Sequence, residues 1–326
     1  MRETTVDSAD RSPAEGLGRW FLLTGNRLLV SLVMLLGIGA VFFAVGVLGI
    51  ATVTTPTRVM WYLNGTVNGL LTLIPISVGV NQIVLSHEFG SIQDLYERRR
   101  DITEFRERVE ERTDTAVSSP YATPFFGTLL SAISDTARSL QRGRNRPADD
   151  RATADIESVA GSIADEADQA NDKLARSDAS MLRTFTVVLS YDNSHQSYEI
   201  RRLQREASDR DDQPTEELQR IHELFVEIDA ARQFLKTVVV ERQLARLSRL
   251  LIYTGIPAVT IAAVGIFVYR DIAGLSVPHA LLVGIAGAII VATLVPLAIL
   301  SAYILRVATI ARQTATYGPF IPESTD

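Results

Sequence analysis

The chain has 326 residues, 47% of them hydrophobic, and a formal net charge of −6 from 32 basic and 38 acidic side chains. It contains no cysteine, which excludes disulfides, thiolate metal sites and cysteine nucleophiles. Residues 87–249 alone carry 24 basic and 31 acidic side chains, a balance that repels nucleic-acid phosphate and argues against a nucleic-acid partner.

Residues 1–27 read as a polar N-terminal tail. Four apolar stretches follow, at about 28–53, 66–86, 250–269 and 279–305. Each is long enough to cross a bilayer core, which takes about 20 helical residues. The first outlasts the apolar core of a cleavable signal peptide and is expected to remain as a membrane helix. It carries Gly37, Gly39, Gly46 and Gly49, where another backbone can come close. Thr54–Gly65 reads as an outer loop, with Pro56 and the interface-suited pair Trp61–Tyr62.

The second apolar stretch is unusual in its polar content. Asn68, Thr72, Pro75, Gly79, Gln82 and Ser86 fall at alternating spacings of four and three, so they share one helix face. Amide side chains in hydrocarbon are costly unless they find hydrogen-bond partners. The face must therefore meet other helices or water: it is either the wall of a hydrophilic path or a packing surface of small and amide residues.

Past Ser86 the periodicity of Ile92, Leu95, Ile102, Phe105 and Val109 predicts that this helix continues unbroken out of the membrane. Ser118–Pro124 breaks it. A helix is next expected with Phe126, Leu129, Leu130, Ile133, Ala137 and Leu140 on one packed face. Arg142–Arg151 is a linker. Ile156, Val159, Ile163, Ala167, Ala170 and Leu174 then mark an acidic helix. Met181–Tyr191 holds strand-preferring residues, yet Met181, Leu182, Phe185, Val188 and Leu189 fit one helix face, and helix is the expectation.

Asp209–Pro214 is a turn that opens a long helix. Leu218, Ile221, Phe225, Ile228, Leu235 and Val239 keep a three-four repeat, interrupted at Arg232, which merges with the third apolar stretch. That stretch offers Gly255, Ala258, Ala262 and Gly265, and the fourth offers Gly284 and Ala288, as small-residue packing positions. Pro75, Pro257 and Pro296 are candidate kinks. Thr72–Ser77 and Thr293–Ala298 echo each other, as a duplicated hairpin would.

The expected fold is thus all-α: a polytopic membrane protein with two hairpins, over 28–86 and 250–305. A helical, partly coiled-coil-like domain, 87–249, lies between them, and a tail, 306–326, follows. Arg11, Arg19, Arg27, Arg98–Arg100, Arg242, Arg246, Arg249, Arg306 and Arg312 flank the membrane on the side of the termini and insert, whereas the short connections hold only Arg58 and Arg270. By the positive-inside rule, both termini and the central domain are cytoplasmic. Only Lys173 and Lys236 are lysines, and this arginine bias with an acidic excess points to a salt-adapted, haloarchaeal source.

No nucleotide loop, hydrolase elbow, dinucleotide fingerprint or kinase signature is present. The four histidines lie far apart, and no catalytic, cofactor or metal residue is assigned. No charged residue lies deep in a span, which disfavours ion-coupled pumps. The layout resembles that of flagellar-stator-type channel subunits and bestrophin-type anion channels, both oligomeric. No stator motif matches, Phe89–Arg100 lacks the bestrophin aromatic-arginine signature, and Tyr317–Phe320 alone is similar to a bestrophin tail motif, so no family is assigned. The leading expectation is a non-enzymatic membrane protein that forms a homo-oligomer in the lipid bilayer, with channel activity. The second is a membrane-anchored sensor or scaffold whose acidic helices bind a cytoplasmic protein partner.

Overall fold

A computed structural model describes residues 18, 20–50, 53–73, 75–79, 82, 91–142, 151–176, 180–191, 193–208, 215–275 and 278–314. All regular structure among them is helical. A π-helical turn, Trp20–Thr24, precedes α1 (Arg27–Val47) and α2 (Pro56–Leu71). Then come α3 (Ile92–Arg112), α4 (Ala122–Arg142), α5 (Arg151–Ala175), α6 (Met181–Ser190) and α7 (Ser194–Ser208). The chain continues through α8 (Thr215–Ala273) to α9 (His279–Thr314). The chain divides into two compact units, residues 1–88 with 241–312, and residues 89–240 with 313–326.

Among the described residues, three helical segments are long and apolar enough to cross a membrane: Arg27–Val47, Glu216–Ala273 and His279–Ile310. Four were expected; the second expected stretch, 66–86, is described only in part, and α2 covers its start. It starts at Pro56, inside the expected outer loop, because proline suits the first turn of a helix. It ends at Leu71. Pro75 has no N–H for the Leu71 carbonyl, and the Thr72 hydroxyl donates to Gly69 O at 2.6 Å, so the ladder closes there. Helical geometry resumes at Leu73, Pro75–Gly79 and Gln82. Helix α1 also stops early, at Val47 rather than near residue 53. Gly49 takes φ +72°, open to glycine, which lets Ile50 N donate to Val45 O and Gly49 N to Gly46 O, both at 3.1 Å.

Two apolar clusters hold the first unit together. Val59 and Leu63 of α2 meet Ala262 and Tyr269 of α8 and Leu282, Val283 and Ala286 of α9. Leu70 and Leu73 meet Leu247, Leu251 and Ala258 of α8 and Ile299, Leu300 and Tyr303 of α9. Helix α1 lies against α9 through glycines: a Cβ on Gly46 would lie 2.6 Å from Val283 Cγ1, and one on Gly39 3.2 Å from a Val291 methyl. Polar contacts mark both ends of the helices. The Tyr269 hydroxyl donates to Val53 O at 2.9 Å, His279 Nε2 lies 3.2 Å from Gly46 O, and the Ser77 and Ser248 hydroxyls are 3.1 Å apart.

In the second unit, α3 is a separate helix rather than a continuation of the second apolar stretch. Ser91 caps it: its hydroxyl accepts from Asp94 N at 3.2 Å while Ser91 N donates to the Asp94 carboxylate at 2.8 Å. Such a capping box satisfies two N–H groups at the start of the helix reciprocally. The same bonds hold the Asp94 carboxyl below the usual carboxylate range.

Helices α4 and α5 form an antiparallel pair, with Gln141 near Glu157 and Asn171 donating to Ser131 at 3.0 Å. All six residues on the expected face of α4 are buried, opposite Ile156, Ile163, Ala167, Ala170 and Leu174. Met181–Ser190 is helix, as its periodicity indicates. Helix α7 is an element the periodicity did not mark. Its buried residues include Gln196, Ile200 and Leu203. The expected linker after Arg142 and the turn Asp209–Pro214 fall outside the described residues.

Arg232, the interruption in the long repeat, is buried. It donates to Tyr191 O at 2.8 Å and Asn193 Oδ1 at 3.4 Å and pairs with Asp229 at 3.4 Å.

Candidate functional site

Helix α2 and the helical residues after it, Leu73 and Pro75–Gly79, turn apolar residues inward. Val59, Leu63, Leu70, Leu73 and Ser77 are buried, with Leu63 against Gly265 and Ser77 against Ser248. The polar residues of this segment point out of the chain. Asn68, Thr72, Pro75, Gly79 and Gln82 are all exposed, as is Asn64, and Ser86 lies outside the described residues. They are flanked by exposed apolar groups, including Leu71, Ile76 and Val78. Among the described residues, only the Thr72 hydroxyl of this stripe has a protein hydrogen bond, to Gly69 O. The side-chain amides of Asn68 and Gln82 are presented to whatever surrounds the chain.

The small-residue positions of α8 and α9 divide. Ala258 and Ala262 are buried in the two clusters, and a Cβ on Gly265 would come 2.8 Å from Leu63 Cδ1. Gly255 and Gly284 are half-buried with open space where a side chain would begin, and Ala288 is exposed. Gly255 lines a cavity of about 400 Å³ between α2 and α8, with Leu70, Ser77, Val78, Ile256 and Thr260. Gly287, which the spacing did not single out, lies against Phe42 of α1.

Among the described residues, no three His, Asp or Glu side chains converge as a metal site would require. The charged chemistry lies in the second unit. Glu227, 2% exposed, pairs with Arg108 at 3.2 Å and with Arg112, which also reaches Glu223 at 3.1 Å. Arg220 pairs with Asp114 and donates to Arg112 O at 3.0 Å. Glu110 accepts from Ser118 N and Oγ, both at 2.7 Å, which lowers its pKa, and the Gln219 amide lowers that of Glu223. These pairs join α3 to α8. Their long sequence separation hides them from a reading by spacing.

Apolar helices of membrane-spanning length, packed through glycine and alanine into an all-helical chain, define a protein suited to association with a membrane. The chain belongs to the family described as Family of unknown function (DUF7972), which it matches over residues 2–326. No curated protein and no solved structure matches it.

Proposed function

We propose that this is a non-enzymatic membrane protein with four spans in two hairpins, both termini and the central domain in the cytoplasm, whose copies assemble around the polar residues of the second span. The exposure of Asn68, Thr72, Gly79 and Gln82 carries this reading. Lipid tails offer no hydrogen bonds, so outward amides need either water or a second copy. A homo-oligomer supplies both when these polar residues of each copy surround an axis, which makes the assembly an ion path of low selectivity. The basic flanks favour the orientation, through the positive-inside rule.

The chain has no cysteine, so single thiols can be introduced without background. Cysteines at Thr72, Gly79 and Gln82 are expected to react with a water-soluble thiol reagent in membranes. A cysteine at Leu36, exposed on the apolar face of α1, stays unlabelled. Reconstituted liposomes should pass ions, and block when the Gly79 thiol is labelled. Protection of all three stripe positions would sink the path.

A second reading, a membrane-anchored scaffold, is favoured by one observation in the second unit. An apolar cavity of about 490 Å³ is lined by Ile102, Phe105, Tyr121, Phe125, Phe234 and Val238, with Tyr121 and Phe234 well exposed. Exposed aromatics around a groove are what a protein partner engages. An unchanged phenotype on deleting residues 88–248 would count against it.

A further inference from the structure

Two arginines in the first unit have no use in that path. Arg27, at the first turn of α1, is 2% exposed, and Arg306, near the end of α9, is 5% exposed. They bracket the same bend. The Arg27 guanidinium donates to Phe21 O at 2.9 Å and to Ala302 O at 3.2 Å. That of Arg306 donates to Gly25 O and to Gln243 Oε1, the latter at 3.3 Å. The like charges of Arg27 and Arg246 both act on Arg306.

Every acceptor that these two guanidiniums find among the described residues is neutral. Arg27 Nε and Nη2 and Arg306 Nε are buried with no acceptor there. Burying a cation costs several kcal/mol unless an opposite charge and hydrogen bonds meet it. Among the described residues, these two guanidiniums, held by backbone carbonyls and one amide oxygen with donors to spare, meet no anion. Planar arginine forks suit tetrahedral oxyanions because they donate two parallel bonds.

We propose that Arg27 and Arg306 form an anion site that binds a phosphate group, supplied by an anionic phospholipid headgroup or by free phosphate. The site shares no residue with the polar stripe, and its test does not depend on ion conduction. A phosphate there would tie the bend before α1 to the end of α9, so binding should stabilise the fold.

The test uses the full chain in neutral detergent and follows thermal unfolding. Inorganic phosphate is titrated at constant ionic strength against chloride. In parallel, mixed micelles carry phosphatidylglycerol or phosphatidylcholine, and native mass spectrometry records retained lipid. Saturable stabilisation by phosphate assigns the site to the soluble anion. Saturable stabilisation by phosphatidylglycerol over phosphatidylcholine assigns it to the lipid. Either result supports the site. Arg27→Gln and Arg306→Gln should each weaken that response about thirtyfold, Arg306→Lys less, and Arg270→Gln not at all. The wild-type titrations decide the matter even where a glutamine variant does not fold. No saturable response to either ligand, or an undiminished response in both glutamine variants, overturns the proposal.

Discussion

Phe225→Ala should destabilise the unit formed by residues 89–240 by about 3–5 kcal/mol, the largest single effect expected in this protein. Phe225 is 1% exposed and sits in the stripe Leu218, Ile221, Leu224 and Ile228, each 0% exposed. Removing the ring forfeits its transfer free energy and leaves a void that the surrounding side chains can close only in part. Val226, next in sequence, is 53% exposed, and Val226→Ala should change stability by under about 0.5 kcal/mol. Hydrogen exchange of α4 to α6 in the full chain, with each variant against wild type, reads both. Equal effects at the two positions would contradict the packing described.

The joint substitution Arg108→Ala with Arg112→Ala should cost about 3–5 kcal/mol in the same unit, for an electrostatic reason. Glu227 is 2% exposed and meets both guanidiniums. Without them a carboxylate is left in a poorly solvated site. Desolvation then raises its pKa in the folded state above the unfolded value. The folded chain therefore binds the extra proton, so the penalty is full at neutral pH and shrinks as pH falls through that raised value. Adding Glu227→Leu should recover most of the loss, because the side chain then needs no partner. Denaturant titrations at two pH values decide it. A loss that is unchanged by pH, or not recovered by the leucine, would mean that the pairing does not stabilise the fold.

The parts of this architecture that were legible in the sequence are those written in local spacing. The α4 face from Phe126 to Leu140 and the long repeat from Leu218 to Val239 are read directly, because burial on one side forces a period near 3.6. The break before α3 is also local: the Ser91–Asp94 pair is a capping box in plain view, overridden by the apolar periodicity on either side. Arg232 shows where locality ends. It interrupts the repeat as a charge should, yet it is buried, because Tyr191 and Asn193 from a distant segment supply its acceptors.

The stripe of the second apolar stretch has the same division. Its spacing expects one helix face, and the close of α2 at Leu71 interrupts that helix. Whether the face points inward depends on Leu63 and Ser77, whose partners Gly265 and Ser248 lie far along the chain. The arginine pair escaped notice because basic residues at helix ends are ordinary. Only burial sets Arg27 and Arg306 apart.

The approach of α1 to α9 has a practical consequence. A Cβ added at Gly46 would stand 3.5 Å from Val283 Cβ, within the span that a cystine bridge covers. A polypeptide without native thiols could thus receive one covalent staple, at positions 46 and 283. Oxidation would join two segments separated by most of the gene, and a shift in gel mobility after a single protease cut between them would report whether the helices meet in the living cell.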